Sequence, residues 1–173
     1  MIFLTLGTHQ PFDRLVRIID RWCGDNPDTP VFGQVPFESD SYRPVNFEAT
    51  EHLHIAQYRE RFGTADFVVA HAGMGSIITA LCLTKPIIIF PRRAALREQR
   101  NDHQLATAAR FEGRAGVRVA YDEDELLGAM DACAARVAEP EGGDELGPFA
   151  DPRLTDALRA AIVRTRSGHG DAR

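Results

Sequence analysis

Apolar residues in this chain fall into short β-rich runs that alternate with stretches where apolar positions recur at helical spacing. Met1 to Leu6 is such a run, halted by Gly7, and predicts a strand. Phe12, Leu15, Ile19 and Trp22 then repeat as one helical face, before a loop rich in Gly, Asn and Pro from Gly24 to Pro30. Short strands are expected at Val31–Val35 and Val45–Phe47, and a helix over Leu53–Phe62. A buried strand at Asp66–Ala70 leads to a helix over Gly75–Leu83 and a further strand over Pro86–Phe90. Asp102 is placed to cap a helix that reaches about Phe111. Val117–Ala120 is the last expected strand, and Asp122 opens a helix carrying Leu126, Met130, Cys133 and Val137 on one face. Residues 1–138 thus read as one domain, 139–150 as a linker rich in Gly, Pro and acid, 151–166 as an amphipathic helix and 167–173 as a tail.

Strands alternating with helices at this spacing predict βαβ units: an α/β, Rossmann-like parallel sheet with helices on both faces. In such sheets ligands bind beyond the carboxyl ends of the strands. That rule selects three loops before any motif is considered: Gly7 to Pro11, His71 to Ser76 and Pro91 to Asn101. They are expected to converge on one cleft.

Composition narrows the function classes. The chain has 173 residues, 44% hydrophobic and 26% charged, as expected of a globular protein with a real core. A net charge of -5 argues against a general nucleic-acid binder. No apolar run approaches the ~20 residues of a membrane span. Cys23, Cys82 and Cys133 lie far apart inside apolar patterns and read as buried free thiols of a reducing, cytoplasmic setting. Lys85 is the only lysine, so arginine supplies nearly every base.

Within the selected loops, His71-Ala72-Gly73-Met74-Gly75-Ser76 joins a strand to a helix. Its glycines let the backbone approach a ligand, and the helix N-terminus offers free N–H groups and a positive dipole end, an anion site suited to a diphosphate. A tight turn with a serine cap has the same pattern. The spacing is neither the dinucleotide fingerprint nor the phosphate loop of nucleotide triphosphatases. His71 either meets a phosphate, lines a sugar pocket or bonds to neighbouring backbone. Arg92, Arg93, Arg97 and Arg100 surround Glu98, followed by Asn101-Asp102-His103-Gln104, a donor and acceptor mix that suits sugar hydroxyls. The arginine cluster reads either as a solvated surface loop or as a site for an anionic sugar such as a uronic acid. Gly7 and Thr8 can present N–H groups and a hydroxyl to the same cleft, whereas Asp13 reads as structural. His52, His54 and His169 have no partners suggesting a metal, so the site has no metal assigned.

Three blocks, Val69 to Ser76, Lys85 to Arg92 and Asn101 to Gln104, resemble the C-terminal domain of family 28 glycosyltransferases. The opening Thr5-Leu6-Gly7-Thr8-His9-Gln10-Pro11-Phe12-Asp13 resembles the donor-binding small subunit of split GT-B enzymes, and most of all those of bacterial exopolysaccharide synthesis. The resemblance covers about Met1 to Ala138 and implies a single GT-B half-domain. It implies that His71, Gly73, Gly75 and Ser76, with Gly7 and Thr8 beside them, grip the diphosphate of a UDP-sugar. Arg92, Asn101, His103 and Gln104 would face its sugar. Many relatives hold the ribose with a glutamate where this chain has Thr79. The resemblance further implies an inverting transfer, without a cofactor, to a lipid-linked acceptor presented by a membrane-anchored acceptor-binding subunit. The chain would then sit peripherally at the cytoplasmic face of the membrane. The general base is expected on that partner, with His9 a weaker local candidate. A UDP-sugar-binding regulatory module without turnover is the alternative.

Overall fold

In the computed structural model the described residues are 1–7 and 10–136. Thr8, His9 and Val137, and the expected linker, C-terminal helix and tail, lie outside them. The elements run β1 (Ile2–Thr5), α1 (Asp13–Asp25), β2 (Val31–Gln34), β3 (Glu48–Thr50), α2 (Ile55–Thr64), β4 (Phe67–His71), α3 (Met74–Cys82), β5 (Ile87–Phe90), a 3₁₀ turn (Ala94–Leu96), α4 (His103–Phe111), β6 (Val117–Val119) and α5 (Glu123–Arg136). The strands form one sheet in the order β3-β2-β1-β4-β5-β6. Every pairing is parallel, with Leu4 beside Gly33 on one side and beside Val69 on the other. The expected Rossmann-like α/β class is therefore what is observed.

Strand residues alternate between two cores because successive side chains point to opposite faces. Leu4, Val69, Ile88 and Phe90 meet Leu15, Ile19 and Trp22 of α1 and Leu126 and Met130 of α5. Phe3, Val68, Ile87 and Ile89 meet Phe62 of α2, Ile77 and Leu81 of α3 and Ala108 of α4. A sheet covered on both faces explains why its central strands are continuously apolar rather than alternating. Burying each of these large side chains contributes roughly 1.5–3 kcal/mol.

Two expectations are corrected here. The strand expected at Val45–Phe47 lies instead at Glu48–Thr50. Val45 is 82% exposed, and its N–H and that of Asn46 are taken by Asp20 Oδ1 at 2.9 and 2.7 Å, so a helix carboxylate captures the backbone that a sheet would have used. Of the three cysteines, Cys23 and Cys133 are buried as expected, but Cys82 is exposed at the end of α3. Burial pushes the Cys23 thiol up to about 12, an inert side chain.

The site is positioned by the connections. The chain leaves β1 for α1, which lies on one face, and leaves neighbouring β4 for α3, which lies on the other. A crevice opens where the two connections part, at the carboxyl ends of β1 and β4.

Candidate functional site

The loops following β1, β4 and β5 do converge at that crevice. Gly7 has φ +74°, a left-handed conformation that glycine adopts without strain. A side chain there would come within 3.2 Å of the His71 ring, so the end of β1 is seated directly on the end of β4. Gly73 is more tightly constrained. A Cβ on it would lie 2.2 Å from His71 Nε2, so the imidazole occupies the room that the missing side chain leaves. Gly75 is different: nothing lies within 4 Å of a Cβ built there. One glycine thus admits a histidine and the other faces open space.

Gly73 is the N-cap residue of α3, and no side chain caps this helix. The amides of its first turn, Met74, Gly75 and Ser76, are therefore left for an outside acceptor. Ser76 is 6% exposed, within that first turn. Thr79, expected at the position of a ribose-binding glutamate, instead donates its hydroxyl to the Gly75 carbonyl at 2.7 Å. That bond ties the hydroxyl to the helix itself.

His71 is electrostatically unusual. Burial, then the Arg92 guanidinium, lower its pKa from 6.5 to about 4; the Thr5 backbone opposes the shift and His103 adds a smaller lowering. Its Nδ1 is buried without a hydrogen-bond partner. At neutral pH the ring is therefore uncharged in the unliganded fold.

The β5 loop departs most from expectation. Arg92 is 2% exposed, and its guanidinium donates to the carbonyls of Pro11 at 2.5 Å and Gln10 at 2.6 Å. The sequence reading placed it at the donor sugar; in the fold its fork is bonded to the β1–α1 connection. Desolvation lowers its pKa to about 10, with Glu98 opposing, so it remains a cation. Arg93 donates to the Tyr121 carbonyl. Two of the four clustered arginines are thus taken up by main-chain carbonyls, and only Arg97 and Arg100 stay exposed. Glu98, the acid they surround, is gripped by Arg14 Nε and Nη2 at 2.6 and 2.9 Å. Arg14, which the sequence did not single out, also lies 4.3 Å from the Phe90 ring centroid. Its position in the first turn of α1, on the carboxyl side of the sheet, was the available signal.

Gln104 is buried at 3% exposure, and its Oε1 accepts the Arg92 N–H at 3.1 Å. Asn101 and His103 are exposed, and Asn101 Oδ1 lies 2.5 Å from His103 Nδ1, which fixes that ring and leaves Nε2 outward. Asp102 precedes α4 as expected, but its carboxylate accepts from Ala94 N at 2.8 Å and does not cap the helix. Asp13 accepts from Tyr42 N at 3.0 Å, the structural role expected of it. Among the described residues no cluster of His, Cys, Asp or Glu could hold a metal ion, and no helix is long and apolar enough to cross a membrane.

A six-stranded parallel sheet with an uncapped helix N-terminus at its switch-point crevice defines an α/β domain of the Rossmann-like kind. Residues 8–132 match the glycosyltransferase family 28 C-terminal domain, and the chain belongs to that family. Over 77 residues it is 42% identical to the UDP-N-acetylglucosamine transferase subunit ALG13 of Eremothecium gossypii, covering 43% of this chain and 36% of that one, so it spans about a third of that relative's length. Among solved structures, an NMR structure of ALG13 superimposes with a TM-score of 0.55 at 20% identity, over 91% of this chain and 93% of that one. The glycosyltransferase of kitacinnamycin gives 0.57 at 20% identity, over 96% of this chain and 39% of that one. Both solved structures share the fold.

Proposed function

We propose that this chain is the donor-binding half of a two-component inverting glycosyltransferase that takes its sugar from a UDP-sugar. The observation that carries this reading is the His71–Ser76 loop, which brings an uncapped helix N-terminus and the open space over Gly75 to the switch-point crevice. A diphosphate placed there meets backbone N–H groups and the positive end of a helix dipole, which also stabilise the charge that develops as UDP departs. Family membership and the likeness to a UDP-N-acetylglucosamine transferase subunit support the same chemistry.

The exposed Asn101 and His103 and the amide of Gln104 are the polar groups offered to the sugar, with Arg97 and Arg100 outside them. With Arg92 and Arg93 occupied by carbonyls, these groups suit a neutral sugar rather than a uronic acid. Transfer needs an acceptor hydroxyl held about 3 Å from the anomeric carbon, opposite the diphosphate. Among the described residues, the crevice of the sheet suits the donor side. We therefore assign the acceptor side and the general base to a partner subunit, membrane-anchored and presenting a lipid-linked acceptor, as in exopolysaccharide assembly. The chain then works at the cytoplasmic face of the membrane, with no cofactor of its own.

Calorimetric titration of the isolated chain with UDP and ADP tests the first half of this reading. Binding of UDP in preference to ADP is expected, and equal binding, or none at about 1 mM, refutes it. Sugar transfer should require membranes containing the partner and should favour UDP-glucose over UDP-glucuronate. Turnover by the chain alone on a soluble acceptor would refute the split. UDP binding without any partner-dependent turnover would favour a regulatory module.

A further inference from the structure

A buried guanidinium is costly unless its N–H groups are satisfied. Arg92 offsets part of that cost with main-chain acceptors of the protein itself. Its two terminal nitrogens fork onto successive carbonyls, Gln10 and Pro11, at 2.6 and 2.5 Å. Its guanidinium carbon lies 4.5 Å from the Phe12 ring centroid, the next residue along. A weaker contact of 3.5 Å reaches the carbonyl of Glu98 in its own loop. Its main-chain N–H is held by Gln104 Oε1 at 3.1 Å.

The circuit closes through a second arginine. Arg14, in the first turn of α1, grips both oxygens of Glu98 and donates to the Pro91 carbonyl at 3.1 Å. Glu98 Oε2 also accepts the Arg93 N–H at 2.9 Å. The β1–α1 connection, the first turn of α1 and the β5 loop are thus stitched together by charge-assisted bonds, which are about twice as strong as neutral ones, and the Gln104 bond ties in the start of α4. These are the loops beside the uncapped end of α3. Loops have few internal bonds of their own, so a cleft built from three of them would otherwise pay an ordering cost at each binding event.

We propose that Arg92 is a positioning residue of the donor site, which fixes the Gln10–Pro11 connection against the β5 loop and preforms the cleft without touching the donor. This role rests on the donor-site reading above. Arginine is specifically required, because only its planar fork spans two successive carbonyls; lysine reaches one.

The test uses the full chain with Arg92→Lys and Arg92→Met, read by hydrogen exchange without ligand and by UDP titration. In Arg92→Met, exchange in the peptide spanning residues 12–18, whose Val16 amide is bonded to the Phe12 carbonyl, should accelerate about tenfold or more and UDP affinity should fall by a similar factor, while the β4 peptide keeps its protection. Arg92→Lys should rescue both readouts in part. Exchange that rises equally across β4, or unchanged exchange at residues 12–18, overturns the proposal. So does undiminished UDP affinity in Arg92→Met when the wild type binds. A wild type that binds no UDP removes the donor site itself, and this role with it. Should Arg92→Met not fold, Arg92→Lys decides alone, and lysine indistinguishable from wild type in both readouts overturns the proposal.

Discussion

Mild acid should destabilise this protein through His71, and the size of the effect follows from where the ring sits. In the unfolded chain a histidine takes up its proton near 6.5, whereas in the fold burial and Arg92 hold His71 near 4. The unfolded state therefore binds the proton first as pH falls. The associated stability is fully present above 6.5 and is lost between 6.5 and 4. At ~1.4 kcal/mol per pH unit the whole effect is roughly 3 kcal/mol, of which about 2 kcal/mol is gone by pH 5. Urea unfolding at pH 7.5 and pH 5.0, for wild type and His71→Gln, isolates it. Carboxylates and the other histidines titrate in both proteins and cancel in the difference. Wild type should lose about 2 kcal/mol more than the variant across that interval. Equal losses, or a His71 ring that titrates near 6.5 by NMR, would refute the assignment of a buried neutral imidazole.

The two loop glycines should respond oppositely to alanine. Gly73→Ala drives a Cβ into the His71 ring and should cost about 1–3 kcal/mol by thermal or urea unfolding. Gly75→Ala has open space and should leave stability unchanged or raised by up to about 1 kcal/mol. Bulkier Gly75→Leu should abolish UDP binding in a folded protein. Asp20 is 1% exposed and accepts from Tyr42 Oη at 2.6 Å besides the Val45 and Asn46 amides. Asp20→Ala should cost about 3 kcal/mol. It should also bring the Tyr42 phenol, raised chiefly by its hydrogen bond to Asp20, back toward its ordinary pKa in an ultraviolet titration.

The fold was legible because its strands are buried on both faces and its helices are amphipathic, so each element announces its type locally. Met1–Leu6, Asp66–Ala70 and Pro86–Phe90 needed only their apolar runs and the turn residues after them. The short edge strand was not legible, since Glu48-Ala49-Thr50 has no apolar run and earns its place by pairing with β2. Nor could the sequence show that Asp20 would hold the backbone at Val45 and Asn46. Position along the chain revealed which loops meet, because in a parallel sheet that follows from strand order. It did not reveal what each side chain does there. Four arginines near a glutamate look alike as letters; only burial separates Arg92, locked onto carbonyls, from Arg97 and Arg100 in solvent.

That separation bears on how the site handles charge. A diphosphate is conventionally met by cations, and this crevice withholds its nearest ones. His71 is uncharged at neutral pH, and Arg92 spends its fork on Gln10 and Pro11. Under the proposed reading the ligand's charge falls instead on the amides of Met74, Gly75 and Ser76, with Arg92 contributing only a field from behind the loop. Amides fixed by the helix need no reorganisation as charge builds on a leaving group, whereas long flexible cations do. On that reading the isolated chain is expected to bind UDP modestly in the ground state, with the larger gain coming as the glycosidic bond breaks.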